Sequence, residues 1–304
     1  MVLKVNKLNT SIGSKHILHN VSFDVQPGEI VGLIGKNGAG KTTIMKSVIG
    51  LINFQSGSVT MNDTLIDMNH HAGLADIRAL IEYPALYNNM TGRQHLKLYA
   101  MGENITATMM DEIIAETGIA SFIDQKAKGY SLGMRQRLAI AITLLAQPKL
   151  VILDEPMNGL DPESTHEMRT LIVKLAKERG ISFLVSSHLL DELSRMADRF
   201  VIIDQGAVIK TGTLEEVTSK NKAQVVLQTT DNVATEKALV ALNYHVLDTP
   251  QGLNIALHGT SLNNLLHDLI AIQGIDIVHL TETSPDLESS FLDLLDAQTE
   301  ANHE

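Results

Sequence analysis

The sequence predicts a parallel α/β fold built around a phosphate-binding loop, followed by a second, smaller α+β domain. Three observations support this prediction. A glycine-rich loop near residue 40 lies between a strand-like and a helix-like run, two apolar runs end in polar side chains near residues 154 and 187, and the charge shifts near residue 220. Strands that are buried on both faces of a parallel sheet read as continuous apolar runs, and both runs have that character.

The glycine-rich loop has the pattern G-x-x-x-x-G-K-T over residues 35–42. It follows the apolar Ile30–Ile34 and opens the helix-like Thr43–Ile49, which is the strand–loop–helix context that a phosphate-binding loop requires. Glycines let successive N–H groups turn toward one anion, and the helix start adds its positive dipole end. A chance glycine-rich turn is the alternative, which this context disfavours.

We therefore expect the loop to bind the phosphates of a nucleotide. Lys41 would reach the β- and γ-phosphates, and the Thr42 hydroxyl would hold Mg²⁺. The predicted phosphate-binding residues are Gly35, Lys36, Asn37, Gly38, Ala39, Gly40, Lys41, Thr42 and Thr43.

The stretches on either side of this loop carry strand and helix signals. Strands are expected at Leu3–Leu8, Val21–Val25 and Gly57–Met61. Helices are expected from an N-cap at Thr91 to Ala100, over Thr108–Gly118, and from an N-cap at Ser131 to Ala146, where Pro148 ends the run.

The apolar strand Leu150–Leu153 ends in two carboxylates, Asp154 and Glu155. In an α/β fold the carboxyl ends of the parallel strands face the ligand crevice. Asp154 is thus placed to bind Mg²⁺, directly or through water, and Glu155 to polarise an attacking water. A strand that ends in a solvated acidic turn is the alternative, which the presence of the phosphate-binding loop disfavours.

A second apolar strand, Ile181–Ser186, follows the helix expected at Pro162–Arg179 and leads to His188. His188 would lie at the same sheet edge as Asp154, where it could contact a γ-phosphate or the attacking water. A lone histidine is more often structural, so this role depends on the other motifs. The other histidines show no spacing typical of a metal site.

Composition restricts the class of protein. The chain has 304 residues, no cysteine and a net charge of −11. These values exclude disulfides and thiolate metal sites and argue against a nucleic-acid partner, which requires a basic face. The N-terminus lacks the basic start and long apolar core that a signal peptide would show, and no run approaches the roughly 18 apolar residues of a membrane span. We expect a soluble, cytoplasmic protein whose membrane role, if any, depends on a partner chain.

Taken together, the motifs resemble those of the ATP-binding subunits of ABC transporters. Tyr130–Leu138 is similar to the family signature, Gly159–Asp161 to the D-loop, and Ser187-His188 to the switch histidine. Order and spacing match over residues 1–220. The resemblance therefore implies a P-loop NTPase fold there, an ABC ATP-binding domain with a helical subdomain.

The resemblance also implies cofactors and partners. Two copies would form a head-to-tail homodimer that binds ATP and Mg²⁺ at its interface, with Ser131 and Gly133 of one copy facing the γ-phosphate bound by the other. Asp161 would belong to the same nucleotide-binding set. ATP hydrolysis would drive integral membrane permease subunits on a separate chain, so the protein would be peripheral at the inner face of the cell membrane.

Three positions depart from the usual family pattern. Ile12 stands where an aromatic residue usually stacks on adenine. Glu82 replaces the glutamine that links the nucleotide to the membrane subunit; glutamate can bind Mg²⁺ but cannot donate a hydrogen bond, so Glu82 is a candidate catalytic and metal-binding residue. Leu132 and Met134 alter the signature. The last two departures resemble the branch that expels bacitracin and lantibiotics and confers resistance or self-immunity.

Two other functions compete with the transporter interpretation. The first is a soluble ABC ATPase that acts on ribosomes or DNA. However, translation factors of that kind carry two ATPase domains, and the DNA-repair relatives carry a long heptad insertion. This chain has one phosphate-binding loop and no such insertion. An unrelated P-loop kinase or GTPase is disfavoured by the signature and the switch histidine.

Residues 221–304 are the predicted accessory domain with an acidic tail, since only two basic side chains stand against twelve acidic ones after residue 220. The pattern predicts a small ferredoxin-like α+β unit. Its expected elements are strand Ala223–Leu227, helix Val233–Leu242, strands Tyr244–Leu247 and Leu253–Leu257, helix Ser261–Ile272, strand Ile275–Leu280 and a closing helix from Asp286. Dimer contact, regulation and stabilisation remain open as its role.

Overall fold

The computed structural model describes residues 1–82, 84–218, 224–250, 252–257, 260–272, 275–283, 287–288, 290–292 and 294–295. The chain divides into two compact units, Met1–Leu214 and Glu215–Glu304.

The first unit contains both strands and helices. Its strands are β1 (Leu3–Ile12), β2 (Lys15–Val25), β3 (Ile30–Ile34), β4 (Ser56–Met61), β5 (Thr64–Ile66), β6 (Ile77–Leu80), β7 (Leu150–Asp154), β8 (Ser182–Ser186), β9 (Arg199–Asp204) and β10 (Ala207–Gly212). Its α-helices are α1 (Lys41–Val48), α2 (Gly92–Tyr99), α3 (Ala107–Glu116), α4 (Leu132–Leu144), α5 (Pro162–Arg179) and α6 (Leu190–Ser194). Short 3₁₀ turns lie at Ala72–Asp76 and Ala127–Gly129, and α7 (Leu214–Thr218) begins at the boundary between the units.

The central sheet of the first unit has the strand order β10-β9-β3-β8-β7-β6. The strands from β9 to β6 are parallel, and β10 is an antiparallel edge strand. Every residue of β3 and β8 is buried, which explains their unbroken apolar sequence, because both faces of this sheet are covered. The carboxyl ends of β3, β7 and β8 therefore meet at one edge.

A second, antiparallel sheet has the order β2-β1-β4-β5. Helix α1 shares one core with side chains of both sheets. Ile44 and Met45 of α1 are fully buried there, together with Leu3, Leu18 and Ile152. The helix that begins at the phosphate-binding loop is thereby fixed by an apolar core that both sheets share.

The capped helices were predicted correctly, with small differences at their ends. Thr91 forms a capping box with Gln94 at the start of α2, and Thr106 and Ser131 cap α3 and α4 through their side chains. Helix α1 begins at Lys41 and not at Thr43. The cause is Gly40, whose φ of 110° is not helical, so that the first helical residue is the one directly after it.

The second unit contains an antiparallel sheet of order β12-β13-β11-β14. Its elements are β11 (Gln224–Thr229), α8 (Asn232–Ala241), β12 (His245–Thr249), β13 (Gly252–Ala256), α9 (Leu262–Ala271) and β14 (Ile277–Thr283). The unit has its own apolar core, which includes Val225, Leu239, Ile255 and Leu265. The described residues from 287 to 295 are helical, whereas Ala223, Asp286 and the acidic tail from residue 296 lie outside the described residues.

Candidate functional site

The phosphate-binding loop connects the end of β3 to the start of α1. Gly38 and Gly40 have φ values of 83° and 110°, which L-residues with a side chain rarely adopt. Space is short as well: a Cβ at Gly35 would lie 2.6 Å from the carbonyl oxygen of Ile203, and one at Gly40 would lie 2.8 Å from Cδ2 of Leu18. The loop thus requires glycine for both conformation and close approach.

Lys41 lies inside this loop with only 7% of its side chain exposed. Its Nζ donates to the carbonyl oxygen of Gly35 at 2.7 Å and lies 3.8 Å from Oε1 of Glu155. The structure thus places one buried cation between the phosphate-binding loop and the acidic end of β7.

One hydroxyl connects the Asp154 carboxylate to the backbone of Glu155 at that strand end. The Ser186 hydroxyl, at the end of β8, donates to Oδ1 of Asp154 at 2.6 Å and accepts from the backbone N–H of Glu155 at 2.9 Å. The other carboxylate oxygen of Asp154 accepts from the hydroxyl of Thr42 at 2.8 Å. From the sequence, Ser186 was predicted only as the end of a strand, because the adjacency of β8 to β7 in the sheet, which supplies this contact, is not visible in the sequence.

Glu155 and His188 form the next pair at this edge. Nδ1 of His188 lies 2.7 Å from Oε2 of Glu155, and the backbone N–H of His188 donates to the same oxygen at 3.2 Å. Glu155 has a φ of 50°, a left-handed conformation that is uncommon for a residue with a side chain and often marks a functional position. Lys41, Thr42, Asp154, Glu155 and His188 are thus brought together by the ends of three parallel strands.

An open cavity of about 360 Å³ lies at the loop. It is lined by Lys36, Asn37, Gly38, Gly40, Lys41, Thr42, Thr43 and Glu155, and also by Lys15 and Ile17 of β2. Lys15 and Ile17 were not predicted as site residues, although they follow Ile12 in the first hairpin. The Ile12 side chain is half exposed and does not line this cavity.

The turn between β9 and β10 supports the loop, and sequence reasoning missed it. The N–H of Gly206 donates to the carbonyl oxygen of Ala39 at 2.9 Å, and its own carbonyl accepts from the N–H of His19 at 2.8 Å. Gly206 has a φ of 80°, and a Cβ there would overlap the carbonyl oxygen of Ile17. The Gln205-Gly206 pair is a turn signal, but nothing local shows that this turn meets the phosphate-binding loop.

The three residues of the signature and D-loop lie together at the N-terminal ends of α4 and α5. The Ser131 hydroxyl accepts from the N–H of Met134, and a Cβ at Gly133 would lie 2.9 Å from Oγ of Ser164. Asp161 caps α5 by accepting from the N–H and the hydroxyl of Ser164, and these hydrogen bonds lower its pKa. Within the described residues, the hydrogen bonds of this group run to α4 and α5 and not to the phosphate-binding loop.

Glu82 lies apart from the cavity lining, on the loop after β6. Its carboxylate accepts from Nζ of Lys46 on α1 at 2.8 Å, and this hydrogen bond, followed by the charge of Lys46, lowers the pKa of Glu82. Its neighbour Tyr83 lies outside the described residues.

In the described part of the chain, no group of three or more His, Cys, Asp or Glu side chains could hold a metal ion. No helix there is both long enough and apolar enough to cross a bilayer.

Comparison with known proteins identifies the family. A family model described as ABC transporter matches residues 18–158, and one described as AAA domain, putative AbiEii toxin, Type IV TA system overlaps it at residues 124–194. The uncharacterized ABC transporter ATP-binding protein YdbJ of Bacillus subtilis (strain 168) is 36% identical over 317 residues, which cover 100% of this chain and 98% of YdbJ. The chain belongs to the ABC transporter ATP-binding proteins.

Two further ABC relatives carry names that state a cargo. The bacitracin transport ATP-binding protein BcrA of Bacillus licheniformis is 33% identical, with 98% of each chain covered. The lantibiotic transport ATP-binding protein SrtF of Streptococcus pyogenes is 37% identical over 208 residues, covering 68% of this chain and 89% of SrtF.

A solved ABC structure supports the same assignment for the first unit. The cbiO1 protein of Clostridium perfringens, part of the ABC transporter complex cbiONQ, is 28% identical with a TM-score of 0.66 and covers 72% of this chain and 91% of cbiO1. The predicted ABC ATPase fold is confirmed. The chain is an ABC ATPase: its cassette binds ATP and hydrolyses it.

Proposed function

We propose that this ABC ATPase powers an exporter of peptide antibiotics of the bacitracin or lantibiotic type. The observation that carries the proposal is the match to BcrA over 98% of both chains, which includes the second unit. YdbJ, which is slightly more similar, has no stated cargo. The cargo class therefore rests on the relatives' names together with Glu82 and the altered signature at Leu132 and Met134.

The contacts at the sheet edge support a division of roles during hydrolysis. Lys41 and the N–H groups of the loop would neutralise the β- and γ-phosphates. Glu155, which already accepts hydrogen bonds at Oε2, would orient and polarise the attacking water with its other oxygen. His188 would hold Glu155 in place through the 2.7 Å contact between Nδ1 and Oε2, and could contact the γ-phosphate through its other ring nitrogen.

We propose Mg²⁺ as the cofactor that accompanies ATP. The donors fit, since the Thr42 hydroxyl and the Asp154 carboxylate are hard oxygen ligands that lie 2.8 Å apart beside the cavity. Mg²⁺ usually takes only one or two protein oxygens and completes its shell with phosphate oxygens and waters, so a larger carboxylate cluster is unnecessary. When bound, the ion would neutralise developing charge on the phosphates. Glu82 would reach it only after leaving Lys46.

We propose that the active form is a homodimer. The α4 N-terminus, with Ser131 and Gly133, carries unpaired N–H groups and a positive dipole end that suit an anion. In the head-to-tail arrangement that the family resemblance implies, the γ-phosphate it would bind is that of the second copy, and the hydrogen bonds of this group, which stay within α4 and α5, are compatible with that role. Asp161 would contribute by fixing α5 beside Gly133.

A groove on the first unit supports docking of a separate membrane permease. It measures about 390 Å³ and is lined by apolar side chains of β6, the loop after it and α4, such as Leu80, Leu86, Ile142 and Leu145. Tyr99 of α2 also lines it. Docking of a permease segment here would place the chain at the inner face of the cell membrane.

For the second unit we propose a ferredoxin-like fold and an accessory role. Its elements run strand, helix, strand, strand, helix, strand, and the sheet order β12-β13-β11-β14 is antiparallel throughout. This order supports the split βαβ arrangement.

We propose that the domain boundary lies near residue 220, which divides the chain into residues 1–220 and residues 221–304.

The function can be tested by capture of the permease. A tagged Glu155→Gln variant, incubated with Mg·ATP in detergent-solubilised membranes of the native host, should retain a polytopic membrane protein in stoichiometric amount. Lys41→Ala, which should not bind ATP productively, is the matched control and should retain less of it. Recovery of ribosomal proteins or DNA without a permease would favour the soluble ABC alternative and overturn the proposal.

The cargo class needs a separate test in the same host. Deletion of the gene should increase sensitivity to bacitracin or to a lantibiotic, and the wild-type gene, but not Lys41→Ala, should restore growth. Sensitivity to an antibiotic with an intracellular target should not change. If all of these sensitivities are unaltered, the peptide-antibiotic assignment is wrong while the ATPase assignment stands.

A further inference from the structure

Lys46 joins the phosphate-binding helix to the loop after β6. It lies on α1, four residues and thus about one turn beyond Thr42 on the same face. Its Nζ donates to Oε1 of Glu82 at 2.8 Å, with 31% of the Lys46 side chain and 67% of the Glu82 side chain exposed. Since α1 begins with the Lys41 and Thr42 of the site, this ion pair is a direct link from the site to that loop.

The loop end of this link is conformationally unusual. Glu82 has a φ of 67°, in the left-handed region that residues with a side chain occupy only when something holds them there. Within the described residues, the hydrogen bond from Lys46 is the one that the Glu82 side chain makes. Two residues further on, Pro84, Ala85 and Leu86 line the apolar groove.

We infer that Lys46 is a positioning residue that holds Glu82 against α1 in the nucleotide-free chain and releases it when nucleotide binds. The inference rests on the proposed roles of the phosphate-binding loop and Glu82, and it names the residue that controls Glu82. A carboxylate at this position would repel the nucleotide phosphates unless a cation neutralised it; in the nucleotide-free chain the Lys46 ammonium is that cation, and Mg²⁺ would take over that role once nucleotide is bound.

The weakness of the ion pair is what makes release feasible. Pairs this exposed to solvent contribute little net stability, so a Mg²⁺-bearing triphosphate can compete with Lys46 for the Glu82 carboxylate. Glu82 would thus have two alternative partners. One is Lys46, and the other is the Mg²⁺ proposed beside Thr42, about one helical turn earlier on α1. Exchange of partners would shift residues 84–86 and so change the groove.

Hydrogen–deuterium exchange of peptides covering residues 78–90 tests this inference in the full-length chain. In the wild type, Mg²⁺ with a non-hydrolysable ATP analogue should change exchange in this segment. In Lys46→Met, nucleotide-free exchange should be faster by roughly two- to fivefold, the range expected for loss of a weak ion pair, and the response to the analogue should shrink. Lys174→Met is the matched control, because Lys174 is an exposed helical lysine paired with Glu178 away from the site.

The charge-swapped double variant, Lys46→Glu with Glu82→Lys, tests whether Lys46 positions Glu82 or only packs against it. It should restore slow exchange in the nucleotide-free protein but not the response to the analogue, since a lysine cannot take the place of a carboxylate beside Mg²⁺. Normal analogue binding with wild-type exchange in Lys46→Met would overturn this inference alone. Failure of the wild type to bind the analogue would overturn the proposed site, and with it this inference.

Discussion

Lys41 is the residue whose charge matters most at the phosphate-binding loop, because it is almost fully buried and faces both a carbonyl and a carboxylate. Lys41→Ala removes the proposed cationic partner of the ATP phosphates. Hydrogen bonds to charged groups contribute about 1.5–3 kcal/mol, so ATP affinity measured by calorimetry should fall by roughly ten- to a hundredfold. Lys174→Ala should bind ATP normally, and normal hydrolysis by Lys41→Ala would show that the site assignment is wrong.

Substitution of Glu155 should separate ATP binding from ATP hydrolysis. Glu155→Gln keeps the shape of the side chain but cannot accept a proton from water, so turnover should drop by roughly 10²- to 10⁴-fold while ATP still binds. The variant should accumulate as a dimer with Mg·ATP, which light scattering would detect. If only monomer is seen under saturating ATP, either the dimer mechanism or the role of Glu155 must be abandoned.

Among the secondary-structure elements, the turn between β9 and β10 has an effect on the site that exceeds its size. Gly206→Ala would press a methyl group against the carbonyl of Ile17 and push the turn away from Ala39, which belongs to the phosphate-binding loop. We expect weaker ATP binding together with a stability loss of about 1–3 kcal/mol beyond the cost of the left-handed backbone.

Gly13→Ala provides the matched control for that turn. Gly13 has a comparable φ of 61°, but a Cβ there would meet nothing within 4 Å. This variant should therefore lose only the backbone term of about 1–2 kcal/mol and keep its affinity for ATP. Equal ATP affinities for the two variants, both measured by calorimetry alongside urea unfolding, would contradict the proposed support of the loop by the turn.

In the second unit, Tyr244 connects the start of β12 to α9 by donating to Oδ2 of Asp268 at 2.7 Å. Burial, and then the hydrogen bond and charge of Asp268, raise the pKa of Tyr244 to about 12. The unfolded chain would lose this proton near pH 10 while the folded one keeps it. The resulting stability is therefore complete below pH 10 and is lost as the pH rises toward 12.

Urea unfolding of the wild type and of Tyr244→Phe checks this dependence. The difference in unfolding free energy between the two proteins should shrink between pH 10 and about 12. A difference that stays constant across this range would show that the Tyr244–Asp268 hydrogen bond does not form.

Signals from residues close together in the sequence explain which helices could be predicted. Thr91, Ser131 and Asp161 cap helices through bonds to residues three positions away, so their helices were predictable from adjacent residues. The strand β9 and the turn at Gly206 were not predicted, because their position depends on pairing with β3 and on contact with the phosphate-binding loop, both far away in sequence. The Lys46–Glu82 pair was missed for the same reason.

At the scale of the whole molecule, the two compact units have separate apolar cores. We therefore expect two unfolding transitions in calorimetry. Mg·ADP should raise only the transition of the first unit, by about 2.7 kcal/mol at a hundredfold excess over its dissociation constant. A control with Lys41→Ala should show a smaller shift, and equal shifts of both transitions would contradict independent units.

The family was predictable because several motifs occur in one order, and the comparisons confirm it. The site residues and the domain boundary near residue 220 stay predictions, although the phosphate-binding loop, Asp154, Glu155 and His188 lie together and the compact units divide between Leu214 and Glu215. The role of the second unit was not predictable, since its described residues form a sheet and core without a cluster of reactive side chains.

Ser186 connects the two acidic residues at the sheet edge. Its single hydroxyl orients the Asp154 carboxylate and the Glu155 backbone at once, and the residue is fully buried. The proposed metal ligand and the proposed water-activating residue therefore share one anchor, so a change at Ser186 should impair both proposed roles together. Thr42 and His188 still hold the two side chains, so the expected loss is graded and not complete.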